Sequence, residues 1–353
     1  SVPFALAMRS QTQQMGLWWL DMMALSDHGL TERMVWFWHG HWATSIQKLN
    51  YALPMYKQNQ IFRTHALGNF NAMTKAMLND GALQFWLDGQ DNTAKAPNEN
   101  LGRELMELFV LGVNRYSEDD VKAISRVLTG YQVEKSSGVV TINQNRRDTN
   151  PVTLLGKTAS FTGDSLTDFL VARDDCATFI SERLWYRFIS STETMPTSFS
   201  AKKGFATRDI ATTIQAMAAD PSMSDEKYAM VKSPVEWFIS ACRALELTPS
   251  ALKTPGQLNN HLDKLGQVPF NPPNVGGWPA GEAWLSSATA QYRLAFAAWL
   301  IKQSNLSALQ QIPKDARVAK SADWLGVAEW SARTQSALRS AVDDPAQFAL
   351  LAL

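Results

Sequence analysis

The stretch "LGVNRYSEDDVKAISRVLTG", Leu111–Gly130, carries its own punctuation. Gly112 suits a helix end, where a left-handed residue closes the last turn. Ser117 can cap the next helix, and Asp120 three residues on can return the bond to the backbone, a variant of the capping box. Tyr116 and Val121 then occupy the positions of a hydrophobic staple. The reading is two helices joined by a tight turn, and the same texture extends in both directions. "TERMVWFWHGHWATSIQKL" opens with a cap at Thr31, and "RTHALGNFNAMTKAML" repeats apolar residues at three and four residue spacing. "LTDFLVARDDCATFISERLWYRFIS", "ATRDIATTIQAM" and the segment beyond Tyr292 are helical in pattern as well. The exception follows Gly130, where "YQVEKSSGVVTINQN" alternates apolar and polar residues about a Ser-Ser-Gly turn, as a β-hairpin does. The expected fold is mainly α: one large helical domain over residues 1–302, a β insert at about 131–155, and a helical tail over 303–353 packed on the same domain.

Composition narrows the function classes. Of 353 residues 45% are apolar, enough for a sizeable core, and no internal repeat is visible. Lysine plus arginine balance aspartate plus glutamate at 33 each, so no net field steers the chain toward nucleic acid or an anionic membrane. No apolar run reaches the ~18 residues of a membrane span, and "SVPFALAMRSQ" does not read as a basic stretch followed by an apolar signal core. A soluble globule is expected. Cys176 and Cys242 are the only thiols, too few for a disulfide framework; two buried free thiols or a single bridge remain open.

The segment "GQVPFNPPNVGGWPAGEAWLSS", Gly266–Ser287, is too apolar for a flexible linker. Adjacent prolines lower the entropy lost on ordering, and Phe270, Val275 and Trp278 offer surface to bury. A packed loop near Trp36 and Trp42 is expected. Trp278 and Trp284 have two readings: exposed indoles make a platform for sugar rings or a partner, whereas buried ones fill the core.

Charge gathers unusually in "APNENLGRELMEL", Ala96–Leu108. Asn98 after Pro97 is a good N-cap, and Glu99 in the first turn complements the helix dipole. Glu104 and Glu107 share a face beside the Leu101, Leu105, Leu108 and Leu111 stripe, so the two carboxylates can converge. Such a pair binds a cation or divides into an acid and a base. The structural alternative pairs each with an arginine, for which Arg103, Arg115 and Arg126 lie close in sequence. In "WHGH", His39 and His41 fall about 200° apart on a helix and cannot share one ion unless Gly40 breaks it. A divalent cation held by His41, His65, Glu104 and Glu107 has suitable ligand types, whereas a satisfied core histidine is the plainer reading of His41. Asp88, Asp91 and Asn92 supply hard oxygens in the preceding loop, where Asp88-Gly89 turn chemistry is the simpler account. No phosphate loop, nucleophile elbow or paired-histidine protease helix is present.

Five segments together resemble a known family. "ERMVWFWHGHWATS", "RTHALGNF", "NENLGRELMELFVLGVNRYSEDDVKAISRVLTGY", "MVKSP" and "FNPPNVGGWPAGEAWLSSAT" are similar, in order, to the blocks of the bacterial family termed domain of unknown function 1800, from about Trp18 to about Leu300. The resemblance implies export to the periplasm or beyond, and a partner from a second exported family, domain of unknown function 1501; it implies no reaction. Members commonly carry a His-Asp pair and a lysine where this chain reads "RRDTNPVTLLG", with Arg147 and Val152 in those places and Asp148 kept. The expected site therefore has Glu104, Glu107, His41 and Asp148 as catalytic groups, and Trp278, Trp284, Asn274 and Arg103 as substrate-binding groups. Three functions follow from it: a hydrolase or transferase acting on saccharide or envelope polymer, a noncatalytic binding or assembly protein working with an exported partner, and a cation-stabilised domain.

Overall fold

The protein is described by a computed structural model covering residues 2–353. Helices take up 61% of the chain, about twice the usual share, and the four strands pair only as two short hairpins, so the fold is mainly α, as expected. The turn in Leu111–Gly130 forms as read. Gly112 has φ +92°, and Ser117 and Asp120 complete a capping box on the helix Glu118–Val127. The first hairpin pairs Tyr131–Glu134 with Val139–Ile142 about the Ser-Ser-Gly turn.

Three boundaries differ from the periodicity, each for a local reason. The helix expected to start at Thr31 runs Gly29–His41, which places Thr31 inside its first turn. "RTHALGNFNAMTKAML" is two helices, Ala52–His65 and Phe70–Leu78, because the Asn69 side chain accepts the amides of Asn71 and Ala72 and starts a new helix there. The β insert does not stop at 155: a second hairpin pairs Val152–Leu154 with Lys157–Ala159. Its two-residue turn has φ +49° at Leu155 and +81° at Gly156, the mirror-image geometry that suits strand twist.

The chain divides into two compact units at positions other than residue 302. One comprises the residues up to Thr12, Leu30–Met230 and Phe270–Trp278; the other comprises Gln13–Gly29, Val231–Pro269 and Pro279–Leu353. In the tail, the helices Arg317–Leu325 and Pro345–Ala352 pack on Pro234–Ala244 and Ser287–Ile301 within the second unit. That unit buries Trp19, Phe238, Phe296 and Phe348, with the Phe238 and Phe296 rings stacked 5.4 Å apart. Arg243 ties its pieces by donating to the Met23 carbonyl at 2.8 Å. The first unit buries Trp38, Trp42, Phe62, Phe70 and Phe109, and each buried phenylalanine contributes on the order of 2–3 kcal/mol. Both cysteines are buried and free, Cys176 in the first unit and Cys242 in the second.

Within the first unit the segment Phe270–Trp278 lies on the helix Gly29–His41. His39 accepts the Phe270 amide at 3.1 Å, and the Phe270 carbonyl accepts the Ile46 amide at 2.9 Å, which holds Phe270 at φ +64°. Trp278 stacks on Trp36 at 5.1 Å. Gly277, at φ +78°, comes so close that an added Cβ would sit 2.2 Å from the Gly40 carbonyl oxygen. Gly277→Ala is therefore expected to lose about 3 kcal/mol or more through strain and clash. Gly156→Ala, where the backbone is left-handed but the space open, is expected to lose only about 1–2 kcal/mol. Urea midpoints of the two variants measure the difference, and equal losses would deny the close approach.

Candidate functional site

In "APNENLGRELMEL" the N-cap position falls on Glu99, whose side chain makes no cap bond, and not on Asn98 as expected; Asn98 forms an Asx turn one residue earlier. The helix runs Asn100–Glu104, and the Asn98 side chain accepts the Asn100 amide at 2.9 Å while the Asn98 amide donates to the Asn92 side chain. Glu99 pairs with Arg103 one turn on. Gly102 lets this helix lie against Glu118–Val127, because a Cβ there would meet Ile124 at 2.7 Å. Leu105–Val110 then continues as a π-helix, with Leu111 donating five residues back to Met106 at 2.8 Å. Such turns recur at functional sites.

The three arginines near in sequence are committed to other partners. Arg103 forks onto both Glu118 oxygens at 2.8 Å, Arg115 onto Glu182 at 2.8 and 3.0 Å, and Arg126 bonds Asp148 at 2.7 Å. Glu107 instead accepts the Tyr116 hydroxyl. Burial and this carboxylate push the Tyr116 phenol up to about 12. Burial, then the charge of Glu107, raises the Glu104 carboxyl above its usual range, and Arg103 opposes the shift.

Across from Glu107, the helix Gly29–His41 presents His41 in a setting of Phe37, Trp38, Phe109 and Phe179 rings. Its Nε2 donates to the Phe109 carbonyl at 2.8 Å, one of the terminal carbonyls that a helix end leaves unpaired. Nδ1 then carries no proton, and it is buried with no partner. Burial, with help from the charges of Arg183 and Arg187, holds the imidazole down at about 3, so it is neutral. His41, Glu107, Phe179, Arg183, Val275 and Gly276 line a cleft of about 200 Å³. His39 points elsewhere and serves the loop, as the 200° separation required.

Several expected site residues do other work. Among the described residues no three His, Cys, Asp or Glu side chains group as metal ligands, so His41, His65, Glu104 and Glu107 do not form one site; His65 and Glu104 lie outside the cleft. Asp148 holds Arg126 and accepts both the amide and the side chain of Asn150, which fixes the polypeptide after the first hairpin. Arg103 is saturated by carboxylates. Asn274 accepts the Gly276 amide at 2.9 Å, building the turn that presents Val275 and Gly276. Trp278 and Trp284 are 4% and 5% exposed, core indoles rather than a platform. Asp88 takes Lys48 at 2.6 Å from its left-handed turn position, and Val152 is a buried strand residue. Missed from the sequence were Arg183 and Phe179, in the helix Asp174–Phe188, a segment read only as helical in pattern.

The family model described as Protein of unknown function (DUF1800) matches residues 5–351, nearly the whole chain. The chain belongs to the DUF1800 family. No curated protein and no solved structure matches it. Among the described residues of this DUF1800 member no helix is long and apolar enough to cross a membrane.

Two outcomes test this geometry. Asn98→Ala is expected to cost about 1 kcal/mol through the lost bond to the Asn100 amide and to leave the cleft unchanged, read by urea unfolding and by the His41 ring resonances. For pH, His39 and His41 are both held near about 3 by burial against an ordinary value of 6.5. Below pH 6.5 the unfolded chain binds protons that the folded chain refuses, so their contribution is full above 6.5 and is lost as pH falls toward 3. Asp80, raised to about 6 by burial, acts with the opposite sign, stabilising as pH falls through 6 toward 3.8. Unfolding followed from pH 7 to 5 should show a loss that Asp80→Asn steepens and His41→Gln flattens.

Proposed function

We propose that the cleft beside Glu107 is the catalytic site of a hydrolase or transferase that acts outside the cytoplasm on a saccharide or another cell-envelope polymer. The observation that carries this reading is the bare, buried Nδ1 of a neutral His41 in a cleft wall shared with Glu107. A buried polar atom without a partner is costly, and of those so placed among the described residues only His41 Nδ1 and Arg183 Nε belong to this cleft wall. In the proposed step His41 Nδ1 takes the proton of an attacking water or hydroxyl, whose oxygen forms the new bond, and returns that proton to the departing oxygen. Glu107, fixed by Tyr116, faces the imidazolium as it forms and offsets its charge. The cleft is smaller than the ~300 Å³ of pockets that enclose whole ligands, which suits one group of a larger polymer.

The alternative, a noncatalytic assembly protein working with an exported partner such as a domain of unknown function 1501 protein, would be served by exposed indoles and an absent polar cleft. The burial of Trp278 and the convergence of His41 with Glu107 support catalysis instead. The test is turnover of purified envelope polysaccharides and peptidoglycan fragments by the wild-type protein, His41→Gln and Glu107→Gln. Each variant is expected to lose about 10²–10⁴-fold in rate with the far-UV spectrum and melting point nearly unchanged. Equal turnover by wild type and Glu107→Gln, or no turnover of any of these polymers, would overturn the reading.

A further inference from the structure

Arg183 stands apart from the paired arginines of the site. It lies on Asp174–Phe188 and lines the cleft beside His41, with Nε buried and without a partner. Among the described residues no hydrogen bond or ion pair reaches its guanidinium; its one contact of note is the Tyr186 ring, 5.7 Å from the guanidinium carbon. Among the described residues no ion pair joins Arg183 to Glu107, the acid of the same cleft, which is held by Tyr116. Arg183 is half-buried, with its Nε closed off from water and no counter-ion beside it, an arrangement that is unfavourable for a guanidinium unless a ligand completes it. Its neighbour Arg187, one turn on, shows the ordinary solution by donating to the Trp278 carbonyl.

We propose that Arg183 is the anion-binding residue of the cleft, and that the group it takes is an oxyanion carried by the substrate, a carboxylate or a phosphate-type group. This rests on the reading of the cleft as a catalytic site and adds the charge of what enters it. The planar guanidinium fork matches two oxygens of either group in one plane. Of the rest of the cleft wall, Val275 is apolar, the Gly276 amide is spent on Asn274, His41 is neutral, and the one carboxylate, Glu107, takes the Tyr116 hydroxyl instead of Arg183. Because the positive charge of Arg183 is one cause of the low imidazole basicity at His41, an anion seated on Arg183 would relieve it. Substrate binding would thereby make His41 the better base that the proposed step needs.

The test uses the full chain with sodium phosphate or sodium acetate against sodium chloride at equal ionic strength. The wild-type melting point is expected to rise by about 2 °C at a tenfold excess over the dissociation constant. Phosphate acting alone indicates a tetrahedral group, and acetate acting alone a carboxylate. Arg183→Gln is expected to abolish the rise and Arg183→Lys to keep part of it. Should Arg183→Gln not fold, the side-chain Nε–H signal of Arg183 in the wild-type protein is expected to move with anion and saturate. Absence of any rise beyond chloride, an unmoved Nε–H signal, or a rise that survives in Arg183→Gln overturns the proposal. The two readings fail separately: an Arg183-dependent rise without turnover of any polymer leaves the anion site and removes the catalysis. Turnover that needs Glu107 but shows no anion effect does the reverse.

Discussion

The hydrogen bond from the Phe270 amide to His39 organises the first unit around it. It fixes a left-handed phenylalanine, and with it the path of the chain through two prolines to Gly277, which lies on Gly40 with no room for a side chain. The bond needs a neutral imidazole, and burial supplies that condition by making the charged form unfavourable. Every later feature of the site follows from this seating: the turn built by Asn274, the Val275 and Gly276 wall, and the stacking of Trp278 on Trp36. The two histidines of "WHGH" thus divide the labour. One is an acceptor for architecture, and its neighbour two residues on donates to the Phe109 carbonyl and keeps an acceptor without a partner.

How much of this was legible depends on how local the cause is. The capping box at Ser117 and Asp120 is a relation between residues three apart, and it formed as written in the sequence. The Asn98 bond to the Asn100 amide is equally local, one residue before the N-cap position. The ordered proline and glycine loop could be read because its restriction is intrinsic to its residue types. By contrast the second hairpin has strands of three residues, shorter than the alternation needed to see it, and a leucine at a turn position that usually signals with asparagine or aspartate.

The site was half legible for the same reason. Glu107 and His41 could be named from composition and face, but the arginines near Glu104 in sequence proved to be occupied by Glu118, Glu182 and Asp148 from elsewhere. Being without a partner is a property of the whole neighbourhood, so nothing in "FISERLWYRFIS" marks Arg183 as different from Arg187. The π-turn was invisible as well, since one residue of changed register within a single turn barely alters an apolar pattern. The tryptophans were read as a choice, and burial made it: an indole on a rigid loop is as good a filler as it is a platform.

The two cysteines have a use that neither unit required of them. Burial pushes Cys176 up to about 12 and raises Cys242 as well, so neither offers a thiolate while its surroundings stay closed. One lies in each compact unit. An alkylating reagent therefore reads the opening of each unit on its own clock, with mass spectrometry of the two cysteine peptides telling which half breathes first. The chain carries, unmodified, a pair of independent gauges of local unfolding.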